Sequence, residues 1–324
     1  MLAEKSILML QRPTLPNSYL YATIGGFLAI LLWASNIAFS KSVIEQHGLF
    51  NTAIYIFLFS GFFNLFLLIL VEKKGTFLAG IKSLPLSWYL TSGLFFVLSI
   101  SMLILAIGKA TSTRQLIIVS ILNYSWPILI YLFKIPILKT GYKIAPLVTG
   151  ILLSLIGIVL ALLEGYNFSE IKNIFQSGDD NPAAYALAFL NSVSWALYSN
   201  LTIRYKKNDD RAGIPVLFIL TGVAFLVAQT VKGQLSTISP SSVFSNPEMI
   251  YMIIGPTSLA YFLWYLSMKY GNRNLVISLS FFIPLLSVLI TSIKFHMAIG
   301  TIFWVAIVLL IVGSYLCYKS FESK

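Results

Sequence analysis

The sequence predicts an all-α integral membrane protein with ten transmembrane helices, arranged as a five-plus-five inverted repeat around a central cavity. Three observations carry that expectation. Of the 324 residues, 58% are hydrophobic and only 10% are charged, where a soluble domain carries roughly a quarter charged residues. The apolar positions gather into ten runs of about 20 residues, the length a helix needs to cross roughly 30 Å of hydrocarbon. Landmarks of the first five runs then recur in the second five.

In chain order the runs are 19–40, 52–71, 86–107, 115–133 and 144–163, then 183–203, 213–231, 249–270, 275–293 and 298–318. Residues 1–18 precede them as a cytoplasmic lead; Lys5, Arg12, Pro13 and Pro16 interrupt it and leave no apolar core of signal-peptide type. The first repeat is 19–163 and the second 183–318. Between them, residues 164–182 form an external loop in which Phe168, Ile171, Ile174 and Phe175 recur at helical spacing, predicting a short interfacial helix. Residues 319–324 form a cytoplasmic tail.

Sliding the chain against itself by about half its length aligns Trp33-Ala34 with Trp195-Ala196, Lys109 with Lys269, Pro127 with Pro284 and Gly157 with Gly313. Because five is odd, the second half enters the membrane in the opposite sense. An inverted repeat with interrupted helices is the pattern of many secondary transporters, whose solute site lies near the midplane between the halves.

The fourth run holds the most informative stretch, Asn123-Tyr124-Ser125-Trp126-Pro127. A proline this deep in a membrane-length segment frees a backbone carbonyl, which hydrocarbon tolerates only beside protein or a water-filled cavity. Pro127 therefore marks a helix break at a cavity wall. Pro284, with Ser280 four residues before it, marks the corresponding break in the ninth run.

The formal net charge of +11 does not indicate a nucleic-acid partner, because no basic groove or RNA-binding signature accompanies it. Placing the N-terminus inside leaves six basic residues outside (Lys41, Lys109, Arg114, Lys172, Lys232 and Lys294) and the rest of the 22 on the cytoplasmic side. That asymmetry predicts both termini in the cytoplasm. The single cysteine, Cys317, forms no internal disulfide.

Candidate chemistry is narrowed by what the runs lack. All eleven acidic residues, with His47 and His296, fall in tails, loops or run margins, whereas proton-driven carriers keep a titratable group within the membrane. Facilitated movement is expected, with Glu45 and His47 as the local candidates for the contrary case. No carboxylate pair, His/Cys metal pattern, Gly-x-Ser-x-Gly elbow or phosphate-cradling glycine loop lies in any run, so neither an enzyme nor a metal or cofactor is indicated.

Recognition falls instead to polar and aromatic residues at membrane depth. Trp33 and Asn36 are three apart on the first run, Trp195 and Tyr198 repeat that spacing on the sixth with Asn191 one turn earlier, and Tyr261 and Trp264 form a stripe on the eighth. With Asn123, Tyr124, Trp126 and Ser280 they are the candidate substrate-binding residues, and Pro127 and Pro284 the candidate gating breaks. An unpartnered amide in hydrocarbon costs a few kcal/mol, so the asparagines must bond each other, freed backbone, water or substrate. Aromatic faces suit an indole or phenyl ring, and the open carbonyls at the two prolines are expected to help hold the polar end.

The Leu32-Trp33-Ala34 opening, Asn123-Tyr124-Ser125-Trp126-Pro127, and the series Tyr261…Trp264-Tyr265…Lys269-Tyr270-Gly271-Asn272 leading to Pro284-Leu285-Leu286-Ser287 resemble the drug/metabolite transporter superfamily of EamA type, and within it the aromatic amino-acid exporter branch. That resemblance implies a multi-pass carrier of the bacterial inner membrane, a monomer or weak dimer in membrane lipid, exporting aromatic and other neutral amino acids. Two alternatives accompany it: a promiscuous exporter of hydrophobic drugs or other metabolites, including organophosphates bound by Lys109 and Lys269, and a non-transporting membrane scaffold or intramembrane enzyme.

Overall fold

In the computed structural model, which describes residues 18–71, 84–163, 166–176, 181–204, 213–232, 244–295 and 300–321, every regular element is helical. Residues 1–17 of the predicted lead, the acids Glu164, Asp179 and Asp180, His296 and the end of the tail lie outside those residues.

The first predicted run forms α1 (Ser18–Ala34) and α2 (Asn36–His47), bent by 43° about Ser35. The second forms α3 (Leu49–Val71) and the third α4 (Leu86–Lys109), with a π-helical segment at Tyr89–Gly93. In the fourth, α5 (Thr113–Asn123) and α6 (Trp126–Leu138) are separated at Tyr124 and Ser125, directly before Pro127. This helix was expected to end at residue 133 but continues through Pro136 to Leu138, where Lys139 stops it at φ 50°. The fifth run is α7 (Ile144–Leu162).

In the external loop, α8 (Phe168–Gln176) forms where the periodicity places it. Its start is a reciprocal capping box: Glu170 N–H donates to Asn167 Oδ1 at 2.9 Å and Asn167 N–H to Glu170 Oε2 at 2.7 Å. The second half follows with α9 (Pro182–Arg204), α10 (Gly213–Val231) and α11 (Pro247–Tyr270), the last with a π-helical segment at Gly255–Leu259. Then α12 (Arg273–Leu279) and α13 (Ile283–Phe295) flank a 3-10 turn at Ser280–Phe282, directly before Pro284. The chain closes with α14 (Thr301–Ser320).

Among the described residues, eight helices are long and apolar enough to cross a membrane, or nine when the bent pair α1 and α2 is one span. The sixth predicted span, α9, is long enough at 23 residues but too polar. Asn191, Ser192, Ser194, Ser199, Asn200 and Thr202 lower its apolarity, and all six are buried. Its polar face is covered by other helices, so it has no need of an apolar surface there.

Four long pairings dominate the packing: α7 with α14, α3 with α10, α4 with α9, and α1 with the second half of α11. Glycines set the closest approach. A Cβ on Gly150 would sit 2.7 Å from the carbonyl oxygen of Gly313, and one on Gly313 would sit 2.7 Å from the Ser154 backbone nitrogen. Between lipid-bathed helices no hydrophobic gain drives association, so backbone contact of this kind supplies the attraction. Gly313→Ala therefore forces α7 and α14 apart, and a loss of about 1–3 kcal/mol is expected, read as a lower melting temperature in detergent. Gly141→Ala, where no atom lies within 4 Å, is expected to leave the melt unchanged.

Candidate functional site

The break between α5 and α6 is held by a helix from the other half of the chain. Pro127 has no N–H, so the carbonyl of Asn123, four residues earlier, loses its helical donor. Ser192 on α9 supplies the replacement: its Oγ lies 2.6 Å from Asn123 O and 2.7 Å from Leu122 O. About two turns further along, Asn200 Nδ2 donates to Ile130 O at 3.0 Å. The break before Pro284 is closed differently, because the 3-10 turn lets the Ile283 N–H donate to Ser280 O. Both freed carbonyls are thus recaptured. The expectation that open carbonyls at these prolines would bind solute is corrected by the need to pair every backbone acceptor in a nonaqueous interior.

Around the first break lies a chain of amides. Ser99 Oγ donates to Asn191 Oδ1 at 2.8 Å, and Asn191 Nδ2 donates to Asn123 Oδ1 at 2.6 Å. With its oxygen engaged, Asn123 keeps its NH2 group, for which no acceptor appears among the described residues. Asn36 is in the same condition: its Oδ1 accepts from Ser40 Oγ at 3.1 Å and its NH2 has no acceptor there. Both side chains line one cavity of about 50 Å³ together with Trp33, Ser99, Tyr124, Trp126, Asn191, Trp195, Tyr261 and Ile283.

Five rings close over the amides as a cage. Trp33 has Tyr261 at 5.1 Å, Trp264 at 5.2 Å, Trp195 at 5.3 Å and Trp126 at 6.2 Å between ring centroids, three of the four edge to face. Trp126 meets Trp264 at 5.3 Å, and Trp195 meets Tyr261 at 5.4 Å. Such contacts contribute about 0.5–1.5 kcal/mol each beyond area burial. Trp33 Nε1 donates to Pro256 O at 3.0 Å, within the π-helical segment of α11. The buried Trp264 Nε1 has no acceptor among the described residues.

Trp33, Asn36, Asn123, Tyr124, Trp126, Asn191, Trp195 and Tyr261 therefore line one cavity although they come from six helices and the break between α5 and α6, with Trp264 packed in the cage. Tyr198 is one step removed, against Trp195 at 5.2 Å and Phe96 at 5.0 Å. Ser280 is buried but is not a lining residue. Its Oγ donates back to Ile277 O at 2.6 Å in the 3-10 turn, and Ile283 takes the wall position instead. Ser99 and Ser192 escaped the sequence reading, since a serine in an apolar run carries no mark that separates a cavity hydroxyl from a packing one.

Among the described residues the carboxylates stay near the helix ends. Glu45 is exposed and pairs with Lys41 at 3.3 Å, and His47 Nε2 lies 3.0 Å from Asn246 Nδ2. Glu248 accepts from Ser42 Oγ at 2.5 Å in the first turn of α11. Lys269 Nζ donates to Tyr265 OH at 2.7 Å.

Residues 182–319 match the EamA-like transporter family. Over 303 residues the chain is 31% identical to the aromatic amino acid exporter YddG of Escherichia coli (strain K12), covering 92% of this chain and 96% of that protein. Over 301 residues it is 30% identical to the aromatic amino acid exporter YddG of Salmonella typhimurium (strain 14028s / SGSC 2262), again at 92% and 96% coverage. A solved crystal structure superposes with a TM-score of 0.73 over 93% of this chain and 99% of that one at 22% identity, a likeness of fold.

The bond from Ser192 to the broken helix is testable by itself. Ser192→Ala leaves Asn123 O without its side-chain donor, and a loss of about 1–3 kcal/mol is expected. Thermal unfolding of the purified protein, compared with wild type, measures it.

Proposed function

The chain belongs to the EamA-like transporters of the drug/metabolite transporter superfamily, with the aromatic amino-acid exporter branch as its nearest grouping, and from that premise we propose that it carries aromatic and other neutral amino acids outward across the inner membrane. Membership of a transporter family removes the enzyme and scaffold readings. The observation that carries the substrate class is the joining of an aromatic cage to two carboxamide NH2 groups with no acceptor, those of Asn36 and Asn123. Rings receive a side-chain ring, and the amides donate to the carboxylate of the same molecule. The wall contributed by α5 and α6 is polar and indolic and that of α13 is aliphatic, which fits a solute polar at one end.

The helices divide into two five-helix halves related as an inverted repeat, with both termini in the cytoplasm. Supporting this, exchange of the halves turns the α4–α9 pairing into the α11–α1 pairing and returns the α7–α14 and α3–α10 pairings to themselves. Trp33 and Trp195, which correspond under that exchange, pack edge to face at 5.3 Å in the cage. The basic residues are distributed for the same orientation.

Transport proceeds by alternating access. Small-molecule sites typically enclose about 300–1,000 Å³, and the cavity at the cage is near 50 Å³, so the site is collapsed and opens by movement of its walls. The bend at Ser35, the separation at Tyr124–Ser125 and the 3-10 turn before Pro284 are where the backbone ladder is already interrupted and where such movement costs least. Movement is facilitated rather than proton-coupled. Among the described residues the carboxylates sit at helix ends, and Glu45 and His47 have the solvated or capping partners of surface groups.

Proteoliposomes loaded with radiolabelled tryptophan, phenylalanine, alanine or a cationic dye are the test. Amino-acid efflux without a pH gradient is expected; absence of flux for every amino acid would sink the substrate assignment, and flux only with a gradient would sink the uncoupled mechanism. Loss of the donor in Asn123→Ala is expected to raise KM for tryptophan about tenfold or more, the equivalent of a hydrogen bond to a charged group. Trp126→Ala is expected to weaken tryptophan and phenylalanine more than alanine, because only the first two offer a ring.

A further inference from the structure

A second, larger cavity lies at the end of the bundle that holds the start of α1 and the end of α14. It measures about 440 Å³, and its lining includes Lys134 from α6, Asn200 from α9, Arg273 and Asn274 from α12, and Phe321 after α14. Among the described residues, the lining contains two cations and no carboxylate.

Both cations are underused. Lys134 is 9% exposed; its Nζ donates to Asn274 Oδ1 at 2.8 Å and lies 4.0 Å from the centre of the Phe321 ring, so its contacts are neutral ones. Arg273 has no hydrogen-bond acceptor or carboxylate among the described residues. A buried or half-buried positive charge left in this state is costly, and two facing one cavity repel each other. A third group completes the set: Asn200 is fully buried, spends its NH2 on Ile130 O and Ala196 O at 3.0 Å each, and has no donor to its Oδ1. Donors for an oxyanion and an acceptor for an ammonium N–H are thus gathered in a space about nine times the volume of the cage cavity.

The same residue types recur at the opposite ends of the same broken helices. Arg114, in the first turn of α5, is 159 residues before Arg273, and Lys294, near the end of α13, is 160 residues after Lys134. These spacings match the one that relates Lys109 to Lys269.

We propose that the Lys134–Arg273 cavity is a loading site for the zwitterionic end of the substrate, holding the carboxylate before the ring enters the cage. The inference rests on the amino-acid reading above. It adds that a free carboxylate is a requirement at loading, so that amines without one are handled by the cage alone.

The test compares tryptophan with tryptamine, which has no carboxylate, in phosphatidylcholine proteoliposomes. Arg273→Gln is expected to raise KM for tryptophan about tenfold with little change in kcat, to leave tryptamine unaffected, and to be rescued within about threefold by Arg273→Lys. Equal effects on both solutes, or none, overturn the proposal. Binding is read separately from flux by thermal shift of the purified protein with indole-3-propionate. Stabilisation of wild type but not of Arg273→Gln is expected even where no amino acid is transported, an outcome that would sink the transport reading and leave this one. If indole-3-propionate has no effect while phosphatidylglycerol in nanodiscs stabilises wild type and not Arg273→Gln, the cavity is a lipid-headgroup site and the loading proposal fails.

Discussion

The architecture depends on one constraint: a nonaqueous interior leaves no place for an unpaired backbone carbonyl. Pro127 creates such a carbonyl at Asn123, and the hydroxyl of Ser192 removes it at 2.6 Å. That bond ties the broken fourth predicted span to α9, the most polar of the long helices. Asn191, one residue away on α9, then stands 2.6 Å from the Asn123 side chain, within 2.8 Å of Ser99 on α4. Satisfying the break and assembling the polar wall of the cavity are the same event.

From this follows the division of labour in the site. The amides are anchored by bonds that also hold the helices, so their geometry is set before any solute arrives. The rings are different, since edge-to-face contacts are weak individually and can be exchanged for contacts with a guest ring at small net cost. Trp33, surrounded by four other rings, is itself an indole in a cage. A carrier needs both properties, because a rigid polar anchor sets which end of a solute is bound and a compliant aromatic shell allows release. At the larger cavity charge takes that place, with Lys134 and Arg273 facing a lining that has no carboxylate among the described residues.

Much of this was readable from residues. Pro127 and Pro284 marked real interruptions because a missing N–H acts locally, whatever the surroundings. Trp33, Asn123, Trp126 and Trp195 were legible because large aromatics and amides at membrane depth need a partner, which few places other than a cavity provide. Ser280 was misplaced, as its hydroxyl satisfies itself on Ile277 O within the 3-10 turn, a local option that spacing does not reveal. Ser99 and Ser192 were overlooked for the complementary reason: a serine in a helix can bond its own backbone, and only the neighbouring helix makes it a cross-bundle donor.

By itself, the sequence determined the membrane class, the helix runs, the breaks, the family and most of the polar and aromatic residues that line the cage cavity. These depend on composition, on local backbone chemistry and on motifs that travel with the chain. Only the tertiary structure decided which freed carbonyl is met by which side chain, which amide groups keep donors in reserve, that Ile283 rather than Ser280 faces the cavity, and that Lys134 and Arg273 share a mouth. The cross-bundle contacts join residues far apart in the chain, 70 positions for Ser192 with Leu122 and 140 for Lys134 with Asn274, and pairing across such distances is set by helix packing and glycine contacts, for which local sequence carries no signal.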